Sequence, residues 1–307
     1  MKAKNVRLVC RNRLRHFVKS IKDETVAKII QGNAIITGGA IASMLRGEEI
    51  SDFDIYFRTR DATEAVAKYF VKQFADNPPP RFKHDNKTVK IHVETLDDRV
   101  KIIVKSAGVA SESGPASEYQ YFEGTDPESG DAAEYAEAVF AIVKDAKEEE
   151  HKPKYRPVFI TTNAITLSDK IQLVMRFFGE PDDIHKNYDF IHCTNYWTSW
   201  DNNLVLRPAA VESLLAKELR YVGSKYPLCS IIRTRKFIQR GWAITAGQYL
   251  KMIMQLQELD LKDVAVLEEQ LTGVDTAYFQ EVIDALRKRD DKRVDAAYLV
   301  ELIDRIF

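Results

Sequence analysis

The sequence has few cysteines, no long apolar run and almost no net charge, and each absence excludes a class of protein. Three cysteines lie far apart among 307 residues, a spacing that gives no disulfide framework or zinc-finger pattern and favours free thiols. No apolar run approaches the roughly 20 residues of a membrane-spanning helix, and the N-terminus lacks the continuous apolar stretch of a secretory signal. These absences predict a cytoplasmic protein.

The formal net charge of −1 hides an uneven distribution of charge along the chain. Residues 1–22 contain eight Lys or Arg and no acid, whereas residues 111–150 contain twelve acids against two lysines. Residues 201–240 are basic again, with eight Lys or Arg against three acids. The overall charge gives no argument for nucleic-acid binding, but each basic stretch by itself suits a phosphate backbone.

The spacing of apolar residues predicts alternating helices and strands over the first two thirds of the chain. Predicted helices cover residues 5–30, 40–45, 61–74 and 168–178, with Asp61 and Ser168 as caps of the last two. Predicted strands cover residues 33–37, 52–57, 88–94, 100–104, 157–162 and 187–193. Residues 106–156 break the pattern and are interpreted as an acidic insertion.

Beyond Pro208 the apolar spacing is helical to the end of the chain. The order of elements therefore predicts an α+β fold, with a mixed sheet flanked by helices first and an all-helical domain after it. We place the boundary near residue 205, which gives one domain over 1–205, including the insertion 106–156, and a second over 206–307.

Two glycines and two acids carry the chemical argument. Gly38-Gly39 ends an apolar strand and precedes a short helix, and after twelve intervening residues comes Asp52-Phe53-Asp54. Carboxylates at i and i+2 on a strand point to the same side, where both can ligate one hard cation such as Mg²⁺. The glycines let the backbone approach a phosphate, and the helix that follows directs N–H groups at it. The combination predicts a metal and phosphate site.

This arrangement resembles the signature of the polymerase-β-like nucleotidyltransferase superfamily, and Gly38-Gly39-Ala40-Ile41 resembles the head domain of poly(A) polymerases and CCA-adding enzymes. The resemblance is firm over residues 30–60 and loose over 60–195, and implies that residues 1–205 form a catalytic domain. Those enzymes usually carry Arg-Asp where this chain has Ala42-Ser43, and the chain lacks their Arg-Arg-Asp-Phe-Thr motif. It therefore looks more like the scattered, often viral members of the superfamily.

The resemblance also implies a third carboxylate on a neighbouring strand. The candidates are Glu94, Asp97, Asp98 and Asp189, and Asp189 is favoured because it lies in a predicted apolar strand, whereas Asp97 and Asp98 fall in a turn. The predicted catalytic and metal-binding residues are therefore Asp52, Asp54 and Asp189. His192, nearby in the sequence, is a candidate ligand or base, although a lone strand histidine is more often structural.

Further nucleotide-binding groups are expected from the helical part, where Ser230, Arg233 and Lys236 share one predicted helix face. With Gly38, Gly39 and Ser43 they make up the predicted nucleotide-binding set. Ser43 could instead serve helix packing, and the cationic face could simply be solvated. The aromatic run 195–200 could stack a base or pack between domains.

Two functions from different classes fit these residues. The first is a nucleotidyltransferase that uses Mg²⁺ or Mn²⁺ to move a nucleoside monophosphate from an NTP to a hydroxyl and releases pyrophosphate. The acceptor could be an RNA 3′ end such as that of a tRNA, a protein side chain or a small molecule. The second is a binding or regulatory protein that kept the fold and lost turnover. The Asp52 and Asp54 pair favours the first, because adjacent like charges are costly without a cation.

Overall fold

A computed structural model describes residues 1–77, 90–97, 99–105, 154–160, 163–271, 297 and 300. These residues divide into two compact units. The first contains the described residues up to 185 together with 193–210, and the second contains 186–192 and the described residues from 211 onward. No helix in the described ranges is long and apolar enough to cross a membrane. The predicted boundary at 205 stays a prediction, and the acidic insertion lies outside the described residues except at 154–156.

Two helices replace the single helix predicted over 5–30. Helix α1 spans Ala3–Ser20 and helix α2 spans Glu24–Asn33. The chain is extended at Ile21, and the Asp23 carboxylate caps α2 by accepting hydrogen bonds from two backbone N–H groups at 2.8 and 3.1 Å. Such a cap satisfies amides that would otherwise lack a partner, so it starts a new helix at this point.

The segment that carries the motif folds as its pattern predicts. Strand β1 (Ala34–Thr37) leads into helix α3 (Gly39–Arg46), and strand β2 (Phe53–Phe57) follows. Helix α4 (Arg60–Asp76) begins one residue before the predicted cap Asp61, because Thr59 provides the side-chain cap. Strands β3 (Lys90–Thr95) and β4 (Val100–Lys105) form a separate antiparallel pair.

The helix predicted over 168–178 is wrong, since this region is a strand. Strands β5 (Pro157–Ile160), β6 (Ala164–Leu167) and β7 (Ile171–Phe178) form an antiparallel succession. In β7 the buried side chains include Ile171, Leu173 and Met175, a period of two rather than of a helix. Asp169 and Lys170 take positive φ angles of 64° and 59° and form the tight turn between β6 and β7.

The strand predicted over 187–193 is also wrong. Helix α5 (Pro181–His185) precedes this segment, which contains an isolated bridge between Phe190 and Tyr221 and a short 3₁₀ helix (Ile191–Cys193). Asp189 therefore lies in a connecting segment, and its backbone carbonyl accepts from the N–H of Val222. Alternation over a few apolar residues predicted a ladder that the chain does not form here.

The main sheet also contains strands β8 (Tyr196–Thr198) and β9 (Asn203–Val205). It is mixed, with strand order β5-β6-β7-β2-β1-β8-β9. Strand β2 pairs with β7 in parallel, and the other neighbours pair antiparallel. One register row carries the buried apolar residues Ile165, Leu173, Ile55, Ile36 and Trp197, and the next carries Thr166, Gln172, Asp54, Thr37 and Tyr196. Successive strand residues point to opposite faces, so the sheet has one apolar and one polar face along these rows.

The second unit is helical apart from one short strand pair. Strands β10 (Glu218–Leu219) and β11 (Ala243–Ile244) pair in parallel. The helices of this part of the chain are α6 (Pro208–Ala216), α7 (Pro227–Gln239), α8 (Ala246–Leu256) and α9 (Val264–Leu271). A mixed sheet flanked by helices and followed by a helical part confirms the predicted fold class.

Candidate nucleotide and metal site

The Gly38-Gly39 turn joins β1 to α3 and places two glycines in different situations. Gly38 has φ 85° and ψ −147°, a combination that residues with a Cβ rarely adopt. Its N–H donates to the carbonyl of Cys193 at 3.1 Å. Gly39 is the exposed first residue of α3, and a Cβ built on it would meet nothing within 4 Å. The packing of the described residues therefore leaves room for a side chain at position 39, whereas the backbone conformation at position 38 requires glycine.

The two acids of the motif lie beside this turn. Asp54 is half-buried on β2, and its register partners are Thr37 of β1 and Gln172 of β7. Thr37 is the residue before Gly38, so the strand pairing sets Asp54 next to the start of the turn. Asp52, also half-buried, immediately precedes β2. Strand pairing thus brings the predicted phosphate and metal elements together at one end of β1 and β2.

The donor set at this place suits a hard divalent cation that is completed by substrate. Mg²⁺ is usually bound by one or two carboxylates and the oxygens of substrate phosphates, and Asp52 and Asp54 provide two carboxylates. Over the residues with a described position, no group of three or more His, Cys, Asp or Glu side chains is arranged to hold a metal ion. The roles of Asp52, Asp54 and Asp189 as metal ligands stay predictions.

A buried hydrogen-bond chain fixes the residue before the turn. Arg207 Nη2 donates to His185 Nδ1 at 3.1 Å, and His185 Nε2 lies 2.8 Å from Thr37 Oγ1. The Thr37 hydroxyl in turn lies 3.0 Å from the carbonyl of Asn195 and 3.3 Å from that of Cys193. A hydroxyl has one hydrogen, so if Thr37 donates to Asn195, then His185 Nε2 must donate to Thr37. These partners assign the Nε2–H tautomer of a neutral imidazole.

The electrostatics of His185 agree with that assignment. The pKa of His185 is lowered from 6.5 to about 4, first by burial and then by the neighbouring Arg207 guanidinium, while Asp182 opposes the shift. Arg207 is itself held in place, because it pairs with Asp182, lies over the Tyr196 ring at 5.6 Å and donates its backbone N–H to Asn195 Oδ1. The end of β1 therefore rests on an uncharged histidine that a fixed arginine orients.

The structure pairs two residues to which the sequence assigned separate roles. Asp189, predicted as a metal ligand, and Arg233, predicted as a phosphate ligand, form an ion pair within the second unit. Asp189 is buried, and its Oδ1 also accepts the N–H of Phe190 at 3.0 Å. This carboxylate is thus neutralised by Arg233 in the structure, and the strand that was expected to carry it is absent from this part of the described chain.

The other predicted site residues are distributed between the two units. Ser43 is half-buried on α3, one turn beyond Gly39, in the first unit. Ser230, in the second unit, is fully buried and its hydroxyl lies 3.2 Å from the carbonyl of Tyr226. Lys236 is exposed near the end of α7. The roles of these three residues in nucleotide binding stay predictions.

Most of the other candidate residues make contacts of their own in the structure. Glu94 lies on β3 opposite Lys101, in a sheet separate from that of Asp54, and Asp97 lies 3.5 Å from Arg60; Asp98 lies outside the described residues. His192 is buried with its ring centroid 4.4 Å from that of Trp242. In the aromatic run 195–200, Trp197 is buried in the core of the sheet, so this ring cannot stack a base in the folded chain.

Sequence reasoning missed His185, Thr37 and Arg207. The available signal was the position of Thr37, a polar residue at the end of a buried strand and directly before the glycines. A buried threonine hydroxyl needs a partner, but nothing in the local pattern points to a histidine 148 residues later in the chain. Only the packing of α5 and the β8 segment near β1 reveals the chain of hydrogen bonds.

The site is built from a strand, a Gly-Gly turn, a helix and an adjacent acid-bearing strand. The chain belongs to the Gabija anti-defense 2 family, whose model matches residues 8–217. No curated protein matches the chain.

Solved structures of tRNA-processing enzymes are loosely similar. A tRNA-processing enzyme with CTP is 13% identical with a TM-score of 0.38, over 91% of this chain and 57% of its own. The Bacillus stearothermophilus CCA-adding enzyme with CTP is 13% identical with a TM-score of 0.37, over 82% and 46%. The Thermotoga maritima CCA-adding enzyme with tRNA is 12% identical with a TM-score of 0.37, over 96% and 53%. The chain thus spans about half the length of these proteins.

Proposed function

We propose that this protein is a divalent-metal-dependent nucleotidyltransferase that moves a nucleoside monophosphate from an NTP to a hydroxyl and releases pyrophosphate. The observation that carries the proposal is the register between β1 and β2, which places Asp54 beside Thr37, immediately before the Gly38-Gly39 turn. A cation and a triphosphate need acidic and backbone N–H groups side by side, and this register provides both.

Each residue of the site has a proposed task. Asp52 and Asp54 would hold Mg²⁺ or Mn²⁺, which when bound stabilises charge on the phosphate oxygens. The open space at Gly39 leaves room for a phosphate near the first N–H groups of α3, with Ser43 one turn further along. The hydroxyl oxygen of the acceptor bonds to the α-phosphorus, the bond to the pyrophosphate oxygen breaks, and the hydroxyl proton passes to solvent.

The identity of the acceptor is the finer part of the proposal. The family name refers to action against a defence called Gabija, so we propose that the acceptor is a hydroxyl whose modification disables that defence, on an RNA 3′ end or on a Gabija protein. A viral origin and a cytoplasmic location fit this role and stay proposals.

The test is transfer of label from each α-³²P-labelled NTP in the presence of Mg²⁺ or Mn²⁺. Total RNA, including tRNA, and purified Gabija proteins serve as acceptors in separate reactions. We expect one acceptor to be labelled by the wild type, and the label to be lost in Asp54→Asn and Asp52→Asn. Asp61→Asn, which removes an exposed acid on α4, controls for the loss of one charge and should transfer normally.

The alternative is a protein that binds a partner without turnover. It would be supported if no acceptor is labelled by any NTP while Asp54→Asn still binds a Gabija protein and still counteracts the defence in cells. Loss of both transfer and anti-defence action in Asp54→Asn would exclude it.

A further inference from the structure

Helix α1 presents a row of basic side chains on its exposed side. Arg7, Arg11, Arg15 and Lys19 are all exposed and follow one another at intervals of four residues. Such residues form one ridge along a helix, with about 6 Å between neighbours and about 18 Å from first to last. No acid occurs in residues 1–22, so nothing within the helix neutralises this row. We call these four residues the α1 basic row.

The α1 basic row has no ion pair with any acid in the described part of the chain. Some cations elsewhere do have acidic partners, for example Lys68 with Glu64 and Lys170 with Glu49. Among the acids that the structure describes, none lies within ion-pair distance of the α1 basic row. Four adjacent unpaired cations repel one another and gain from an external anion with a matching density of charge.

Arg13 shows how the same helix uses an arginine for structure. Its guanidinium carbon lies 4.9 Å from the centroid of the Phe53 ring, and its Nη1 donates to the carbonyl of Asp169 at 3.2 Å. Arg13 is thus tied to the sheet, whereas the α1 basic row has no comparable contact in the described ranges. The sheet therefore holds Arg13, whereas the four exposed side chains of the α1 basic row are available to an external ligand.

The other face of α1 decides which kind of anion suits it. Val6, Cys10, Leu14 and Phe17 belong to the buried core. A helix that binds a membrane surface inserts its apolar face into the lipid, and here that face is already occupied. A nucleic acid requires no apolar face, and it carries one negative charge for about every 1.7 Å of duplex axis.

We propose that α1 binds the phosphate backbone of a nucleic acid through Arg7, Arg11, Arg15 and Lys19. The contact is electrostatic and independent of base sequence, because side chains on one ridge reach phosphates along a strand rather than base edges. Arginine also permits bidentate contacts with phosphate oxygens. This surface holds a nucleic acid whether or not the transfer reaction takes place, so it extends the proposed function without depending on it.

The test is binding of fluorescent 20-mers, measured by anisotropy between 50 and 200 mM salt, with single-stranded RNA, duplex RNA and duplex DNA as separate probes. The variant changes all four residues to Gln, which has a similar helix propensity. Four lost phosphate contacts should weaken binding by roughly 10- to 100-fold at low salt, and should reduce the slope of log K against log salt by about 3. Which probe binds most tightly distinguishes RNA from DNA.

The matched control removes the same charge from dispersed exposed positions, Lys28, Lys72, Lys154 and Lys251, each changed to Gln. Its affinity and salt slope should stay within twofold of the wild type, with thermal unfolding followed for both variants. Asp54→Asn should bind the nucleic acid as the wild type does, so that failure of this proposal is distinct from failure of the transfer reaction. Equal losses in the dispersed and α1 variants, or tighter binding to anionic lipid vesicles than to every nucleic acid, would overturn the proposal.

Discussion

At the scale of one residue, a substitution of Gly39 should affect ligand binding without much effect on folding. Its Cβ position is open and its backbone is helical, so Gly39→Ala should change the free energy of unfolding by less than about 1 kcal/mol. A methyl group there would occupy the space proposed for a phosphate. We therefore expect NTP affinity, measured by calorimetry with Mg²⁺, to fall at least tenfold.

Gly32→Ala is the matched control, because Gly32 is also a helical glycine whose Cβ would meet nothing. Gly32→Ala should be as stable as Gly39→Ala and should bind NTP with the wild-type affinity. If Gly39→Ala also bound NTP with unchanged affinity, the triphosphate would not lie at this turn.

His185 should make stability depend on pH in a defined window. Its folded pKa of about 4 lies below the ordinary 6.5, so the neutral ring contributes stability that is fully present above pH 6.5 and is lost as the pH falls towards 4. The contribution is at most about 3 kcal/mol. The measurement is urea unfolding at pH 4.5, 5.5, 6.5 and 7.5.

His185→Gln is the informative variant, since an amide can donate to Thr37 and accept from Arg207 but does not titrate. We expect the variant to lose much of the wild-type slope of stability against pH between 4.5 and 6.5. Identical slopes in the two proteins would contradict the neutral histidine.

The pair of Asp189 and Arg233 joins the connecting segment to α7, and its test belongs to the scale of elements. Removing Arg233 alone leaves a buried carboxylate without its cation, which costs about 3–5 kcal/mol. Arg233→Met should therefore be more destabilising than the double variant Asp189→Asn with Arg233→Met, as judged by chemical unfolding.

Transfer assays on the same variants address the predicted metal role. If Asp189 completes the metal site, Asp189→Asn abolishes transfer even where the protein remains folded. If Asp189→Asn transfers at the wild-type rate, the third carboxylate is not Asp189, and the ion pair is purely structural.

The elements that could be predicted are those with strong local signals. The strand, Gly-Gly turn, helix and acidic strand over 34–57 have clear breakers at each change of period. β7 could not be predicted, because its run of apolar residues, Ile171–Phe178, also fits the spacing of a buried helix and a short apolar run does not distinguish the two. The turn before it contains no glycine, since Asp169 and Lys170 adopt the positive φ angles.

The composition of the site was predictable only in part for a similar reason. Asp52 and Asp54 are neighbours in the sequence of the motif, so spacing alone indicates them. His185 and Arg207 reach Thr37 from distant segments, and Asp189 was assigned to a strand that requires long-range pairing. Residue spacing predicts the positions of groups that are a few residues apart, whereas contacts between distant segments depend on how the rest of the chain folds.

At the scale of the whole molecule, the rate at which the Cys10 thiol reacts shows whether the hydrophobic core is closed. The thiol is buried on α1, and burial raises its pKa to about 12, so it reacts only when the core opens. We expect a thiol reagent to modify half-buried Cys193 in the native protein but to modify Cys10 at a rate that follows global unfolding. Cys229 is buried as well, so both proteins carry Cys229→Ala, and in that background Cys10→Ala, which should lack the slow phase, identifies the signal. Fast modification of Cys10 in the native protein would show that α1 detaches from the core.

The contrast between Gly38 and Gly39 has a consequence for the history of such proteins. A descendant that abandons catalysis but keeps the fold must still keep glycine at 38, because its backbone conformation requires one. Nothing in the described packing holds glycine at 39, so that position is free to drift once no triphosphate enters. Among relatives of this chain, the residue at position 39 would therefore separate lineages that still use a nucleotide from those that retain only the scaffold.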